Sequence, residues 1–363
     1  MIRRLGRTIW KITKWALFAL VVFVVLLCIP VAYVEYGCRG DGVRASDWYE
    51  AVLTDAASQR REANTYLTYP EWHIVYAYDG LAETLKTGDE YAFDYLDSID
   101  GFWRSTCSLM RVADSHGGAD WNTRSMIHVI GVSFTAEMAL KALYEETIGR
   151  ATALLRGPVK TPQDKAISRM AVDYSAFLRQ TPWYAYPFRR ELTALWAEPA
   201  GLSVRGWERR IGIGTEFLGK TAYARVIARA AATAPAKLEI RSLIKGIDRR
   251  KVAAIKNVTV VGERAGALEI ETPRYDLFTR VLVEIARQGG SVLEIAGNDD
   301  IMVTITTAPG SYPDVSPGRE ILRMQRSGFP GQRLLVDLKV KDLAAFLNRH
   351  PIGDPGLEHV FDY

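Results

Sequence analysis

Cysteine and histidine are scarce in this 363-residue chain, with three of the first and five of the second. Three cysteines do not make a disulfide framework, and none has the Cys-x-x-Cys spacing of a structural zinc site. Neither charge sign dominates. The chain carries 46 Lys+Arg against 42 Asp+Glu, yet five of the bases fall in the first 14 residues, which hold no acid; setting those aside leaves 41 against 42. Charge therefore gives no support to a nucleic-acid partner. Beyond residue 34 no segment reaches 18 uncharged apolar residues, so a single membrane pass is expected. No internal repeat or low-complexity segment stands out.

What is present is concentrated at the N-terminus. Arg3, Arg4, Arg7, Lys11 and Lys14 precede an uncharged apolar run from Trp15 to Val34, WALFALVVFVVLLCIPVAYV. Its length suits a helix crossing about 30 Å of hydrocarbon. The bases lie on one side only, so the positive-inside tendency puts residues 1–14 in the cytoplasm and residues 35–363 across the membrane. The run is longer than a cleavable signal core and ends Cys28-Ile29-Pro30-Val31-Ala32-Tyr33, without an Ala-x-Ala site, so it reads as an uncleaved signal anchor. Trp15, Tyr33 and Tyr36 sit where interfacial aromatics belong. An Ala- and Arg-rich composition suits a bacterial source. The expected location is then the inner membrane, with the soluble domains periplasmic.

Four segments are predicted: the basic tail 1–14, the anchor 15–34, an α-helical domain 35–236 and an α/β domain 237–363. Residues 44–235 read as helical. Thr68-Tyr69-Pro70-Glu71 fits a capping box opening a helix to about Lys86. Further helices are predicted over 89–114, 123–149, 162–180 and 216–232. The helix over 123–149, apolar around most of its circumference, is the predicted buried centre. The period changes near residue 238. Strands at 268–271, 292–295, 301–306 and 334–338, with helices at 274–288 and 317–326, give the order β-α-β-β-α-β of a ferredoxin-like sandwich. The fold class is thus α+β.

Cys28 falls within the anchor, leaving Cys38 and Cys107 in a compartment where oxidation is permitted. They either bridge the juxtamembrane segment to the body or remain two thiols. Among the motifs, Gly214-Thr215-Glu216-Phe217-Leu218-Gly219-Lys220-Thr221 satisfies the phosphate-loop pattern. A poor preceding strand, an acid inside the would-be anion cradle and an extracytoplasmic address all argue against nucleotide. Gly131-Val132-Ser133-Phe134-Thr135 misses a nucleophile elbow by its last residue, and Ser133 falls within a predicted helix. Gly297-Asn298-Asp299-Asp300 reads as a hairpin turn, with too few oxygen donors for a calcium loop.

His73, His116 and His128 fall in the helical domain, with Glu71 and Asp120 near them in sequence. Facing helices can gather such side chains around zinc, iron or haem, although no two histidines have the i, i+3 or i, i+4 spacing of a ligand pair. Two aromatic clusters, from Tyr66 to Tyr78 and from Trp183 to Phe188, read as packing, as a lipid-facing surface or as a small-molecule pocket. The expected function is a membrane-anchored binding or assembly protein, without catalysis, contacting a protein or lipid partner. The alternative is a membrane-anchored enzyme using His73, His116 and His128 with Glu71 or Asp120, with or without a metal. No cofactor is assigned.

Overall fold

A computed structural model describes residues 2–42, 49–231 and 237–363. The side chains of Arg3, Arg4 and Arg7 and the segment 232–236, where the domain boundary was expected, lie outside the described residues. The chain opens with α1 (Ile2–Gly37), a continuous helix despite Pro30. Within its stretch Thr13–Gly37 an 18-residue window reaches mean hydropathy 3.0, and the stretch is long and apolar enough to cross a membrane.

Residues 49–63 are not helical, contrary to expectation. Their first part is held by Glu294, fully buried, which takes the Val52 and Leu53 amides at 2.6 and 2.8 Å and the Tyr49 hydroxyl at 2.8 Å, and turns at 56–58 and 62–63 follow. The helices that follow are α2 (Asn64–Leu67), α3 (Tyr69–Thr87), α4 (Tyr95–Ser115), α5 (Trp121–Tyr144), α6 (Arg150–Arg156), α7 (Pro162–Leu178), α8 (Phe188–Ala197) and α9 (Val204–Ala231). The capping box at Thr68 does not form. Thr68 is already helical because α2 runs into α3, and its hydroxyl turns to the Thr65 carbonyl at 3.1 Å. A complete capping box forms at Thr161 and Asp164 instead, with Pro162 in the first turn of α7.

The buried centre is α3, not α5. Tyr69, Trp72, Tyr76 and Tyr78 of α3 are buried, whereas Val129, Leu140 and Leu143 of α5 are exposed. An all-round apolar helix satisfies the sequence criterion for burial, but here one of its faces is left exposed among the described residues. Between α5 and α6 lies one π-helical turn, Glu145–Gly149. A Cβ on Gly149 would come within 2.1 Å of Glu145 Oε2, so glycine leaves the carboxylate its place. That carboxylate receives the fully buried Arg209 at 2.9 and 3.1 Å, and the equally buried Arg205 reaches Asp164 at 2.9 Å. These pairs fasten α9 to the rest of the helical part.

The C-terminal part holds two four-stranded antiparallel sheets. The first is built from β1 (Glu239–Lys245), β2 (Thr259–Arg264), β3 (Ala267–Pro273) and β4 (Ser291–Ile295), in spatial order β2-β3-β1-β4, with α10 (Arg249–Ala254) and α11 (Asp276–Arg287) between strands. The second contains β5 (Asp300–Thr307), β6 (Arg319–Gln325), β7 (Gln332–Lys339) and β8 (Gly356–Phe361), in order β6-β7-β5-β8, with α12 (Val340–Arg349) before its last strand. The two orders are the same permutation. The second unit repeats the first without the helix after its opening strand, a duplication the sequence does not display. Each long helix also crosses over: α11 packs on β3 and on β8, α12 on β7 and on β4, and the helices touch each other.

Two expectations change here. Residues 317–326 hold strand β6, not a helix. Their charged positions mimic helical spacing, but the backbone pairs with β7, and Met324, Ile321 and Leu322 pack into the helical core. The strands predicted to form one sheet are divided between two, since β3 and β4 belong to the first and β5 and β7 to the second. The two parts of the protein meet along β5 and β8. Thr65 Oγ1 accepts the Met302 amide at 3.0 Å and donates to the Phe361 carbonyl at 2.7 Å, and Trp72 stacks on His359 at 3.6 Å between ring centres.

Candidate functional site

Three separate stretches of chain converge beside that seam. Glu62 comes from the turn before α2, His116 from the residue that ends α4, and Asp300 from the start of β5. Gly117 and Gly118, with φ of +91° and +66°, turn the chain sharply after His116 toward α5. His116 Nδ1 lies 3.5 Å from Glu62 Oε2 and 3.6 Å from Asp300 Oδ2. One ligand atom from each residue falls within 4.8 Å of the others.

The surrounding hydrogen bonds decide where the imidazole proton sits. Tyr66 donates its hydroxyl proton to Asp337 Oδ1 at 2.7 Å, so the same oxygen can only accept from His116 Nε2 at 3.3 Å. Neutral His116 therefore turns the lone pair of Nδ1 toward two carboxylates. Lys339 relieves the Asp300 side at 2.7 Å, and on the Glu62 side the arrangement is repulsive without a proton or a cation among the three groups. Burial alone would lower His116, but its contact with Glu62 and the nearby Asp300 and Asp337 hold it above the ordinary imidazole range. Burial, aided by repulsion from Glu62 and Asp337, outweighs Lys339 and pushes Asp300 up to about 7. Lys339 Nζ reaches Asp300 at 2.7 Å and Asp299 at 3.1 Å, and Arg319 reaches Asp337 at 3.1 Å.

Separations of 3.5 and 3.6 Å are long for hydrogen bonds at Nδ1. They are close to the ligand-to-ligand spacing of a tetrahedral cation with bonds of about 2.0–2.1 Å. Imidazole plus two carboxylates suits zinc, and the contact from Nε2 through Tyr66 to a carboxylate is the outer-shell support such a ligand has. The same groups can also trade protons near neutral pH.

The other predicted ligands lie in different environments. His73 is buried among Phe102 and Phe134, holds the Ser98 carbonyl at 2.8 Å through Nε2, and is pushed down to about 4 by burial. His128 is held by Glu35 at 2.7 Å. Glu71 is exposed, in the field of Arg274 and Asp362. Asp120 accepts the Thr123 amide at 2.8 Å as the cap of α5 and lies 3.9 Å from Arg61. Of the predicted set, only His116 enters the cluster. Asp300 carried a weak signal as the end of the Gly-Asn-Asp-Asp turn; Glu62 carried none, because only the tertiary fold brings it near.

Cys38 and Cys107 are joined, with Cα atoms 5.1 Å apart. The phosphate-loop match lies in the middle of α9. Lys220 is bound there to Glu137 at 2.7 Å and Glu216 at 3.1 Å, and Thr221 bonds back to the Phe217 carbonyl at 2.7 Å. Its amides are in the helix and do not cradle an anion. Ser133 is likewise inside α5. No protein-family model, curated protein or solved structure matches this chain.

Proposed function

We propose that this chain is a membrane-anchored extracytoplasmic binding or assembly protein, without catalysis of its own. Its N-terminus is cytoplasmic and its body lies in the bacterial periplasm. The five bases before α1's apolar run support this orientation, and the bridge between Cys38 and Cys107 suits an oxidising compartment. The first C-terminal unit, with its β-α-β-β-α-β order and the spatial order β2-β3-β1-β4, supports a ferredoxin-like assignment, a fold often used for binding (an analogy only).

One observation carries the reading: α1 is locked to the body and does not act as a loose tether. Besides the disulfide, Glu35 binds His128 and Arg124, Arg111 donates to the Gly37 carbonyl at 3.0 Å, and the Gly40 amide donates to Asp114 at 2.9 Å. A flexible tether lets a domain search for substrate, whereas a locked one holds it in a single pose for a partner. Crosslinking in native membranes followed by purification tests this. Recovery of a stoichiometric partner is expected, and a chain recovered alone overturns the reading.

The cluster favours a second reading, a metal-dependent enzyme using Glu62, His116 and Asp300 around a divalent cation. Metal analysis of the purified full chain decides it. One equivalent of zinc or iron, lost on His116→Ala, would support it, and an empty result would remove it.

A further inference from the structure

The covered positions of α1 recur every three or four residues. Phe23, Leu27, Pro30 and Val31 are half-buried and Val34 and Cys38 buried, while most of the intervening residues are exposed. α1 packs on α4 and α5, and Val31, Val34 and Cys38 of this stripe lie in or against the helical core. The stripe begins at Phe23, well before the apolar run ends at Val34; at 1.5 Å per residue that is about 16 Å of membrane depth. The hydrocarbon core measures about 30 Å. A body packed on α1 to half that depth must offer lipid a compatible surface.

α5 offers one. From residue 126 to residue 143 its exposed side chains are Met126, Val129, Leu140 and Leu143, all apolar. The acid and base of that interval turn to α9, Glu137 to Lys220 at 2.7 Å and Lys141 to Glu216 at 2.8 Å. α9 matches it: the exposed residues from 211 to 223 are Ile211, Thr215, Leu218, Gly219, Ala222 and Tyr223, none of them charged. On each helix the residues reaching the neighbour lie between the buried face and the exposed stripe. Both stripes therefore face the same side, away from the core.

The rim has the matching chemistry. Arg124 binds Glu35 at the outer end of α1 and also lies 5.8 Å from the Trp121 ring centre, so exposed Trp121 and exposed Tyr36 flank the same ion pair. Aromatics at that end of a membrane helix are what a membrane interface selects. Scattered exposed apolar residues are ordinary on any protein, but two uncharged exposed stretches on helices joined to each other, one of them packed on α1, are not.

We propose that the α5–α9 face is seated in the outer half of the bilayer, its exposed Leu140, Leu143, Ile211 and Leu218 covered by acyl chains. The body is sunk against α1 and does not stand off the membrane. This rests on the reading of α1 as an anchor and identifies lipid as the partner of this face.

The test uses the full chain carrying Cys28→Ser, reconstituted into phosphatidylcholine vesicles. A bimane probe is attached at Leu143→Cys, at Leu218→Cys or, as a control, at Lys165→Cys on the polar surface of α7. Lipids with nitroxide-labelled chains are expected to quench residues 143 and 218 several-fold more than 165, and aqueous iodide to do the reverse. Iodide quenching of 143 and 218 equal to that of 165, with the chain still held after a carbonate wash, overturns the proposal and leaves the anchor standing. Release of the chain by the wash overturns the anchor. Positions open to iodide in pure lipid but shielded from an impermeant maleimide in native membranes would assign the face to a protein and overturn the lipid assignment.

Discussion

Glu35 and His128 form a 2.7 Å hydrogen bond between the last turn of α1 and the first turns of α5, with Arg124 on the other carboxylate oxygen at 3.4 Å. His128 is buried and Glu35 half-buried, so neither partner is freely hydrated once the other is gone. Glu35→Ala is expected to cost about 1–3 kcal/mol. In a double-mutant cycle with His128→Ala, thermal unfolding of the full chain in detergent should return a coupling of about 1 kcal/mol or more. A coupling near zero would mean that the two side chains are merely adjacent.

The disulfide acts on the same junction by a different route. It closes a sequence separation of 69 residues. In the chain-entropy account such a loop stabilises the folded state by about 4 kcal/mol. Cys38→Ser and Cys107→Ser should lower the unfolding temperature equally, and the double variant should match either single one. Reductant should reproduce that loss in the wild type and change nothing in the variants.

Asp300 makes stability pH-dependent. Its folded pKa of about 7 lies above the ordinary carboxylate value, so the unfolded chain gives up this proton first as pH rises. Stability should therefore fall between about pH 4 and pH 7. Each tenfold difference in proton affinity between the folded and unfolded chain is worth roughly 1.4 kcal/mol, and solvent screening of the cluster keeps the total to a few kcal/mol at most. His116, held above its usual range, has the same sign: its contribution is complete below the unfolded imidazole pKa and is lost as pH rises through the folded one. Glu62, lowered, has the opposite sign, and its effect lies below pH 4.5. Unfolding temperatures from pH 5 to pH 8 should decline in the wild type and decline less in Asp300→Asn. A parallel slope in both would show that the proton lies elsewhere.

The sequence makes some of these relationships visible and hides others for physical reasons. A long apolar run and the change of period near residue 238 are local, and they appear as α1 and the start of β1. β6 is an edge strand whose Arg and Glu face solvent, so its pattern carries no mark of its partner β7. α9 begins before its predicted start because Trp207 and the glycines on either side of it resemble a loop, and what makes them helical is the anchoring of Arg205 and Arg209 among buried carboxylates. The cluster at His116 draws one residue from each of three distant stretches, and spacing along the chain cannot express that. The lone histidines could be counted but not paired, since each partner (Glu35, Ser98, Glu62) belongs to another element.

Lys220 separates a structural from a nucleotide-binding role for the phosphate-loop match. Its ammonium is buried between Glu137 and Glu216, with the Tyr78, Tyr174 and Phe188 rings 5.1–5.5 Å from it. Burial would lower its pKa, but Glu137 and its other neighbours hold it well above the usual lysine range, so it stays charged. Lys220→Met removes one partner from two carboxylates that also join α5 to α9 and should cost about 3–5 kcal/mol, the loss typical of a broken buried pair. Thr221 only bonds back to its own helix, and Thr221→Ala should change stability by less than about 0.5 kcal/mol. A phosphate loop would depend on both residues through ligand binding. Unfolding temperatures of the two variants, measured with and without magnesium and a nucleoside triphosphate, should differ widely from each other and not at all with the nucleotide; a nucleotide-dependent rise abolished by Thr221→Ala would refute the structural role.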